Sequence, residues 1–346
     1  SYSRMTGWGR NDYSQSTPLD GATDIVALAA GAVHSLALHG DGTVTAWGRN
    51  LYGQCVVPAG LSDAVAIAGG QRHSLVLHSD GTVEAWGSDE QDQCTVPAAL
   101  SNAVAIAAGF QHSVALRGDG AVIAWGDNSA GQCDVPLDLG TAMAVSAGSG
   151  HTIALRLDGT VLAWGRNSSL QCAVPSWLGN VVAISAGWNH NLALRDDGTV
   201  VAWGANNFGQ CIVPADLTGV VAIAAGQDFS LALRADGTVV AWGRDDYGQI
   251  DLPSGLPPVS NIAAGGFHGL AFAPLQPVVD NLAPEIFGCE ERVVRVGRPA
   301  LFMVRTRDNA DPRPIITYNP PLGTILPFGD TTIAVTVRDF SGNTNT

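Results

Sequence analysis

Histidine returns at one phase of this chain, at His34, His73, His112, His151, His190 and His268, with Phe229 in the remaining place of the series. A ring of imidazoles could in principle hold a metal, but metal ligands must converge to within about 2.0–2.2 Å of a single ion. Equivalent positions in separate repeats are expected to diverge, so these histidines read as fixing backbone at the starts of strands. Gln15, Gln54, Gln93, Gln132, Gln171, Gln210 and Gln249 repeat without exception and invite the same reading. Cys55, Cys94, Cys133, Cys172 and Cys211 follow the period too, replaced by Ser16 and Ile250 in the other copies. Isoleucine in that slot points to a small buried apolar site. A disulfide needs Cα atoms within about 7 Å of each other, which equivalent points far from a ring axis do not meet. Five inert buried thiols are expected, with neither a disulfide framework nor a zinc site. Paired carboxylates, a nucleophile with an attendant base and phosphate-binding loops are all missing as constellations, so the chain does not read as an enzyme.

The elements that place these residues follow a ruler of seven tryptophans. Trp8, Trp47, Trp86, Trp125, Trp164, Trp203 and Trp242 each stand 39 residues after the last. A unit of this length cannot bury its own apolar face and must stack on copies of itself, as a solenoid or a propeller. Within a unit, Val65 and Ile67, Leu75 and Leu77, and Val83 and Ala85 alternate with the period of two of strands. Asp-Gly recurs from Asp41-Gly42 to Asp236-Gly237, the dipeptide of tight hairpins. The unit thus predicts three strands and a short outer fourth, a four-stranded meander. Glycine closes the innermost strand in every copy, from Gly31 to Gly265, where backbones approach around an axis. The first copy begins midway, at Gly7-Trp8-Gly9, and the last stops early, after Leu270-Ala271-Phe272. The two partial copies complete one unit, which predicts an all-β, seven-bladed β-propeller over residues 1–274, closed by exchange of an N-terminal strand.

The recurring W-G-x-N-x-x-G-Q, V-x-A-I-A-A-G-x-x-H-S-L-A-L and D-G-T-V-x-A-W-G segments resemble the regulator of chromosome condensation repeat family, over roughly residues 4 to 274. The resemblance implies a seven-bladed propeller. The copies are shorter than those of the family's eukaryotic nucleotide-exchange factor, and no basic tail is present. In repeat length and in the G-Q-x-x-V-P-A segment the chain is more similar to bacterial members, including the propeller-type β-lactamase inhibitory protein, a secreted binding module.

Positions at which the copies disagree separate what a partner needs from what the scaffold needs. The pair between the inner glycine and the histidine varies freely: Ala32-Val33, Gln71-Arg72, Phe110-Gln111, Ser149-Gly150, Trp188-Asn189, Gln227-Asp228 and Gly266-Phe267. The stretch after Trp-Gly also varies, supplying Tyr13, Tyr52, Phe208 and Tyr247. In an antiparallel meander both loops leave the same end of the blade, so one face of the disc is diversified. Aromatic anchors among polar groups are the composition of protein interfaces and sugar sites. The candidate partner-binding residues are Arg72, Phe110, Gln111, Trp188, Asn189, Asp228, Phe267, Tyr52, Phe208 and Tyr247. Trp188, out of phase with the seven, is a better candidate than any tryptophan within that series. In the resembling inhibitor the same inner loop supplies aromatic contacts, which implies a binding face without naming its partner.

Composition changes after Pro274. Residues 275–284 read as a linker, and 285–346 as short strand-like runs at 292–296, 300–305, 314–318 and 331–337, the pattern of a small immunoglobulin-like β-sandwich. Asp280-Asn281, Asp308-Asn309, Gly323 to Gly329 and Asp339 to Asn343 resemble the hyalin repeat of extracellular adhesive proteins. Cys289 has no partner there, and the family's last strand is missing, so the sandwich is expected to be incomplete and open to self-association through a donated strand. Asp280, Asp308 and Asp339 could gather carboxylates for calcium; solvated turn aspartates are the simpler reading.

The formal net charge is −14, and all 17 basic residues are arginine. Such a surface repels nucleic acid and anionic membranes. No run of 18 apolar residues offers a membrane span. The chain starts Ser-Tyr-Ser, as a processed mature chain or a trimmed piece would. The expectation is an extracellular or surface-displayed, non-catalytic, cofactor-free scaffold for adhesion that binds a protein or glycan. A secreted inhibitor of a β-lactamase or cell-wall enzyme, and a self-assembling subunit of a surface polymer, are the alternatives.

Overall fold

The computed structural model describes residues 4–18 and 24–273, together with five strands nearer the C-terminus. Residues 4–273 form seven three-stranded antiparallel sheets, here called blades 1 to 7. In blade 1 the inner strand Ile25–Ala30 pairs with the middle strand His34–His39, which pairs with the third strand Val44–Gly48. Blades 2 to 6 repeat this order at 64–87, 103–126, 142–165, 181–204 and 220–243. Blade 7 takes Asn261–Ala264 and His268–Ala273 from the end of the propeller and Arg4–Gly9 from its beginning, with Arg4 opposite Ala273 and Gly9 opposite His268. The predicted strand exchange is therefore present. Inner strands of successive blades touch all the way round, blade 7 against blade 1 included.

Middle strands are buried on both faces because a blade lies on each side. Leu36 and Leu38 pack toward blade 2, against Ala64, Val76 and Trp86, while Ala37 between them packs toward blade 7, against Met5, Leu270 and Phe272. The alternation of large and small apolar residues thus lets each blade fill its neighbour's hollow. Each fully buried leucine contributes about 1.5–3 kcal/mol. At the far end of the hairpin only the glycine of Asp-Gly takes a left-handed conformation, with Gly42 at φ +81°. Asp41 accepts from the amide and hydroxyl of Thr43 at 2.9 and 2.7 Å, which holds its carboxyl below the usual range.

The expected outer fourth strand is not formed. The segment after each cysteine carries a proline, such as Pro97, that has no donor for a ladder, and its neighbours bond locally. Val96 donates to the Cys94 carbonyl at 3.0 Å and Leu100 to that of Pro97 at 2.9 Å. Leu100, Leu139, Leu178 and Leu217 anchor these turns as buried side chains.

Toward the C-terminus, Glu285–Phe287 pairs with Arg305–Arg307, and Ile315–Asn319 pairs with Ala334–Arg338, which pairs with Thr344–Asn345. Of the predicted runs, 314–318 and 331–337 overlap described strands and 300–305 meets one at Arg305. The run at 292–296, residues 275–284, Cys289 and the calcium candidates Asp280, Asp308 and Asp339 lie outside the described residues.

Candidate functional site

The diversified face rests on a polar layer that joins blade to blade. His34 Nε2 lies 3.0 Å from Ser74 Oγ of the next blade, and Ser74 donates to the Gln54 carbonyl at 2.9 Å. Because the serine spends its proton on that carbonyl, His34 is the donor, neutral and protonated on Nε2. The same link runs from His73 to Ser113, His112 to Thr152, His151 to Asn191, His190 to Ser230 and His268 to Ser35. Burial pushes these imidazoles down, His34 and His151 to about 4, and His73, His112, His190 and His268 to about 3. Neighbouring imidazoles also disfavour one another's charge, as His34 and His112 do to His73. Each histidine thus joins its blade to a hydroxyl or amide of the next, a belt of six links interrupted at Phe229 and Gly269 between blades 6 and 7. Among the described residues no histidine, cysteine or carboxylate cluster is arranged to hold a metal.

Each repeated glutamine ties two blades. Gln54 Oε1 accepts from the Tyr52 amide at 2.9 Å, while its backbone carbonyl accepts from Ser74 and from Trp86 Nε1, also at 2.9 Å. Six of the seven phased tryptophans donate in this way. They belong to the scaffold. The cysteines are half-buried, where full burial was expected, because they sit in the loop that replaces the fourth strand. Their thiols donate to backbone, Cys55 to the Arg49 carbonyl at 3.3 Å, and are unpaired with one another. Burial raises them to about 11 or 12, which removes thiolate character.

Above this layer the seven inner loops close a second ring, made of backbone alone. Ala32 donates to Gly70, Gln71 to Phe110, Phe110 to Gly148, Ser149 to Trp188, Trp188 to Gly226, Gln227 to Gly266, and Gly266 back to Gly31. The glycines are required because these chains approach one another so closely; a Cβ on Gly31 would collide with the Gly70 carbonyl oxygen. A central cavity of about 90 Å³ lies within the ring, with Phe110 and Trp188 among its lining.

The structure brings the aromatic candidates together. Phe110 of blade 3, Trp188 of blade 5 and Phe267 of blade 7 converge from alternate blades, with centroids 5.0 Å apart for Phe110 and Trp188 and 6.2 Å for Trp188 and Phe267. Tyr247 extends the row, 5.1 Å from Phe267. Arginines brace it: Arg244 lies 4.4 Å from the Phe208 centroid, and Arg10 lies 5.0 Å from Tyr247. Arg72 covers Tyr52 at 4.6 Å and Arg49 covers Tyr13 at 5.2 Å. Arg10, Arg49 and Arg244 were not singled out from the sequence, although their shared place directly after Trp-Gly was the available signal. Asn189 and Asp228 face inward instead. Asn189 accepts from Ser149 at 3.1 Å and Gln171 at 3.3 Å, and Asp228 is tied to Arg244 at 3.2 Å and to Gln210 at 3.4 Å. Both hold loops in place. Gln111 sits half-buried beside Phe110.

The family model for the regulator of chromosome condensation (RCC1) repeat matches residues 25–54, 64–93, 103–132, 144–171, 181–210 and 220–249, just over half of the chain. The chain belongs to the RCC1 repeat family. Prp20p from Saccharomyces cerevisiae, a structure reported with its binding properties to Gsp1p and histones, is similar at 19% identity and TM-score 0.66, over 81% of this chain and 93% of that one. Human WBSCR16 is similar at 18% identity and TM-score 0.63, over 79% and 99%. The ectodomain of the Physcomitrella patens receptor kinase CR4 is similar at 21% identity and TM-score 0.59, over 69% and 67%. No curated protein sequence matches significantly. At these identities the likeness establishes the RCC1 propeller fold alone. Among the described residues no helix is long and apolar enough to cross a membrane.

Proposed function

We propose that this RCC1-repeat propeller is a non-catalytic scaffold that captures a protein partner on its diversified face. The observation that carries this reading is the convergence of Phe110, Trp188 and Phe267, which alternate blades bring over one end of the axis. Rigid aromatic anchors set among polar side chains are where interface energy concentrates. Packing of the three rings on one another, with Arg10 and Arg244 over Phe267, leaves little side-chain freedom to lose on binding. Prp20p, of similar fold, has reported binding properties to Gsp1p and histones, and CR4 uses such a propeller in a receptor ectodomain. Display outside the cell, with residues 285–346 as an immunoglobulin-like spacer behind a linker at 275–284, fits the acidic, lysine-free composition and the hyalin-like motifs.

Alanine at Trp188, Phe110 and Phe267 together tests the proposal. Capture of partner from culture medium should fall below detection, while stability drops by only about 1 kcal/mol per lost ring contact. Capture that survives the triple variant refutes the assignment. Binding on a glycan array that depends on the same three residues would transfer the face to a sugar ligand and refute the protein reading.

A further inference from the structure

Blade 4 interrupts the pattern of the face. Arg10, Arg49 and Arg244 stack on Tyr247, Tyr13 and Phe208 of the preceding blade. Arg166 occupies the same phase, but the residue in the corresponding place is Ala130, so it has no ring to lie on. The inner loop beneath it is Ser149-Gly150, and the bare glycine lets the side chain fold over it, with Arg166 Nε and Cζ 3.5 and 3.8 Å from the position a Cβ would take. Among the described residues, no carboxylate, carbonyl or aromatic ring engages this guanidinium. The inner loop it covers lies between those that carry Phe110 and Trp188, whose rings meet at 5.0 Å.

A second departure stands four residues further along the same loop. Leu170 holds φ +61° where Gly53, Gly131, Gly209 and Gly248 stand in other copies, and it is 65% exposed. The other non-glycine residues at positive φ among those described are Ser14, Asp24, Asp92, Asn102 and Asn180, all polar. Leucine in this conformation is strained and exposed at once, and strain of this kind marks places where function overrides local preference.

We propose that Arg166 is the anchor for a carboxylate on a partner's peptide segment, whose neighbouring apolar side chain packs against the Phe110–Trp188 pair and Leu170. Charge complementarity selects the occupant: an unpaired guanidinium presents a planar fork that a carboxylate meets with two hydrogen bonds, beside apolar surface that a purely acidic chain would not use. This site rests on the reading of the diversified face as a protein-binding surface.

A random heptapeptide library displayed on phage and selected on the full chain tests it. Enriched sequences should pair Asp or Glu with a large apolar residue. Their synthetic forms should bind Arg166→Gln at least tenfold more weakly than the parent, bind Arg166→Lys at an intermediate level, and be lost on Trp188→Ala. Arg166 is exposed, so unchanged circular dichroism of these variants is expected and is checked alongside. Peptides that need Trp188 but ignore Arg166→Gln overturn the carboxylate anchor and leave the binding face intact. Peptides indifferent to both, or none enriched on the parent chain, overturn both readings.

Discussion

Gly269 stands forty residues after Phe229, the interval that separates each buried histidine from its hydrogen-bonding partner in the next blade. Where the imidazole is lost, the hydroxyl or amide that receives it is lost too. Phe229 is fully buried in an apolar cluster with Trp8, Leu231 and Ala271, so donor and acceptor of this link are absent together. The chain has thus carried out a paired substitution within its own repeats, and it has done so at the junction closed by the N-terminal strand.

That pairing is measurable. His73→Phe removes the donor from Ser113, and Ser113→Gly removes the acceptor from His73; both singles should lower stability. The double variant should be less destabilised than the sum of the singles by about 1 kcal/mol. Urea unfolding of the four proteins gives the coupling, and strict additivity would show that the belt is not an energetic unit.

The belt also sets an acid limit. Free imidazoles titrate near 6.5, while the six buried ones are held at about 3 to 4. Above pH 6.5 neither state carries these protons and stability is flat. Below it the unfolded chain takes up protons that the fold refuses, so stability declines as pH falls through the folded values. Each histidine contributes a slope of up to about 1.4 kcal/mol per pH unit. The urea midpoint should therefore drop between pH 7 and pH 5, before the turn carboxylates such as Asp41 and Asp158 begin to titrate. An unchanged midpoint over that range would contradict it.

Leu170→Gly should stabilise the chain by about 0.5–1 kcal/mol, since glycine removes the left-handed strain at the expense of a more flexible unfolded state. The change is read as a rise in denaturation midpoint. A fall would mean that Leu170 makes stabilising contacts within the propeller, and its case as a partner contact would go with it.

Removing residues 1–9 should cost more than any loop change. It strips the edge of His268–Ala273, exposes the pocket of Trp8, and frees the Gln249 carbonyl that Trp8 Nε1 meets at 2.9 Å. Loss of the tryptophan's burial alone is worth about 3–5 kcal/mol. Size-exclusion chromatography should show association through the bared edge; a truncated chain that stays monomeric and melts with the parent would refute the role of the exchanged strand.

Much of this was legible because repetition labels the scaffold. The Trp8-to-Trp242 ruler located the blades, and the split first copy located the closure. Trp188 stood out because it is out of phase with the seven, and Phe267 because it belongs to the pair that differs from copy to copy; both lie in the aromatic row. The outer strand was misread because the apolar run Thr95-Val96-Pro97 has strand character in every respect except the donor that proline lacks. Asn189 and Asp228 were read as outward-facing because variability alone does not tell which way a polar side chain turns; their bonds to Gln171 and Gln210 are tertiary facts. The role of Arg166 depended on Ala130 and Gly150 at once, one 36 residues before it and one 16, a coincidence that only the assembled ring brings into one place.

The bond from Trp8 to Gln249 spans 241 positions. During synthesis the opening strand therefore emerges with an apolar edge and no mate, and it must stay unengaged while six blades form behind it. Until the last hairpin arrives, the growing ring is an open arc with two sticky ends, one of them on each of its terminal blades. Topologies that defer their longest-range pairing fold slowly and stay exposed to neighbours while they do. For this chain the vulnerable moment falls when the hairpin of Asn261–Ala264 and His268–Ala273 emerges, as locking the circle competes with joining another arc.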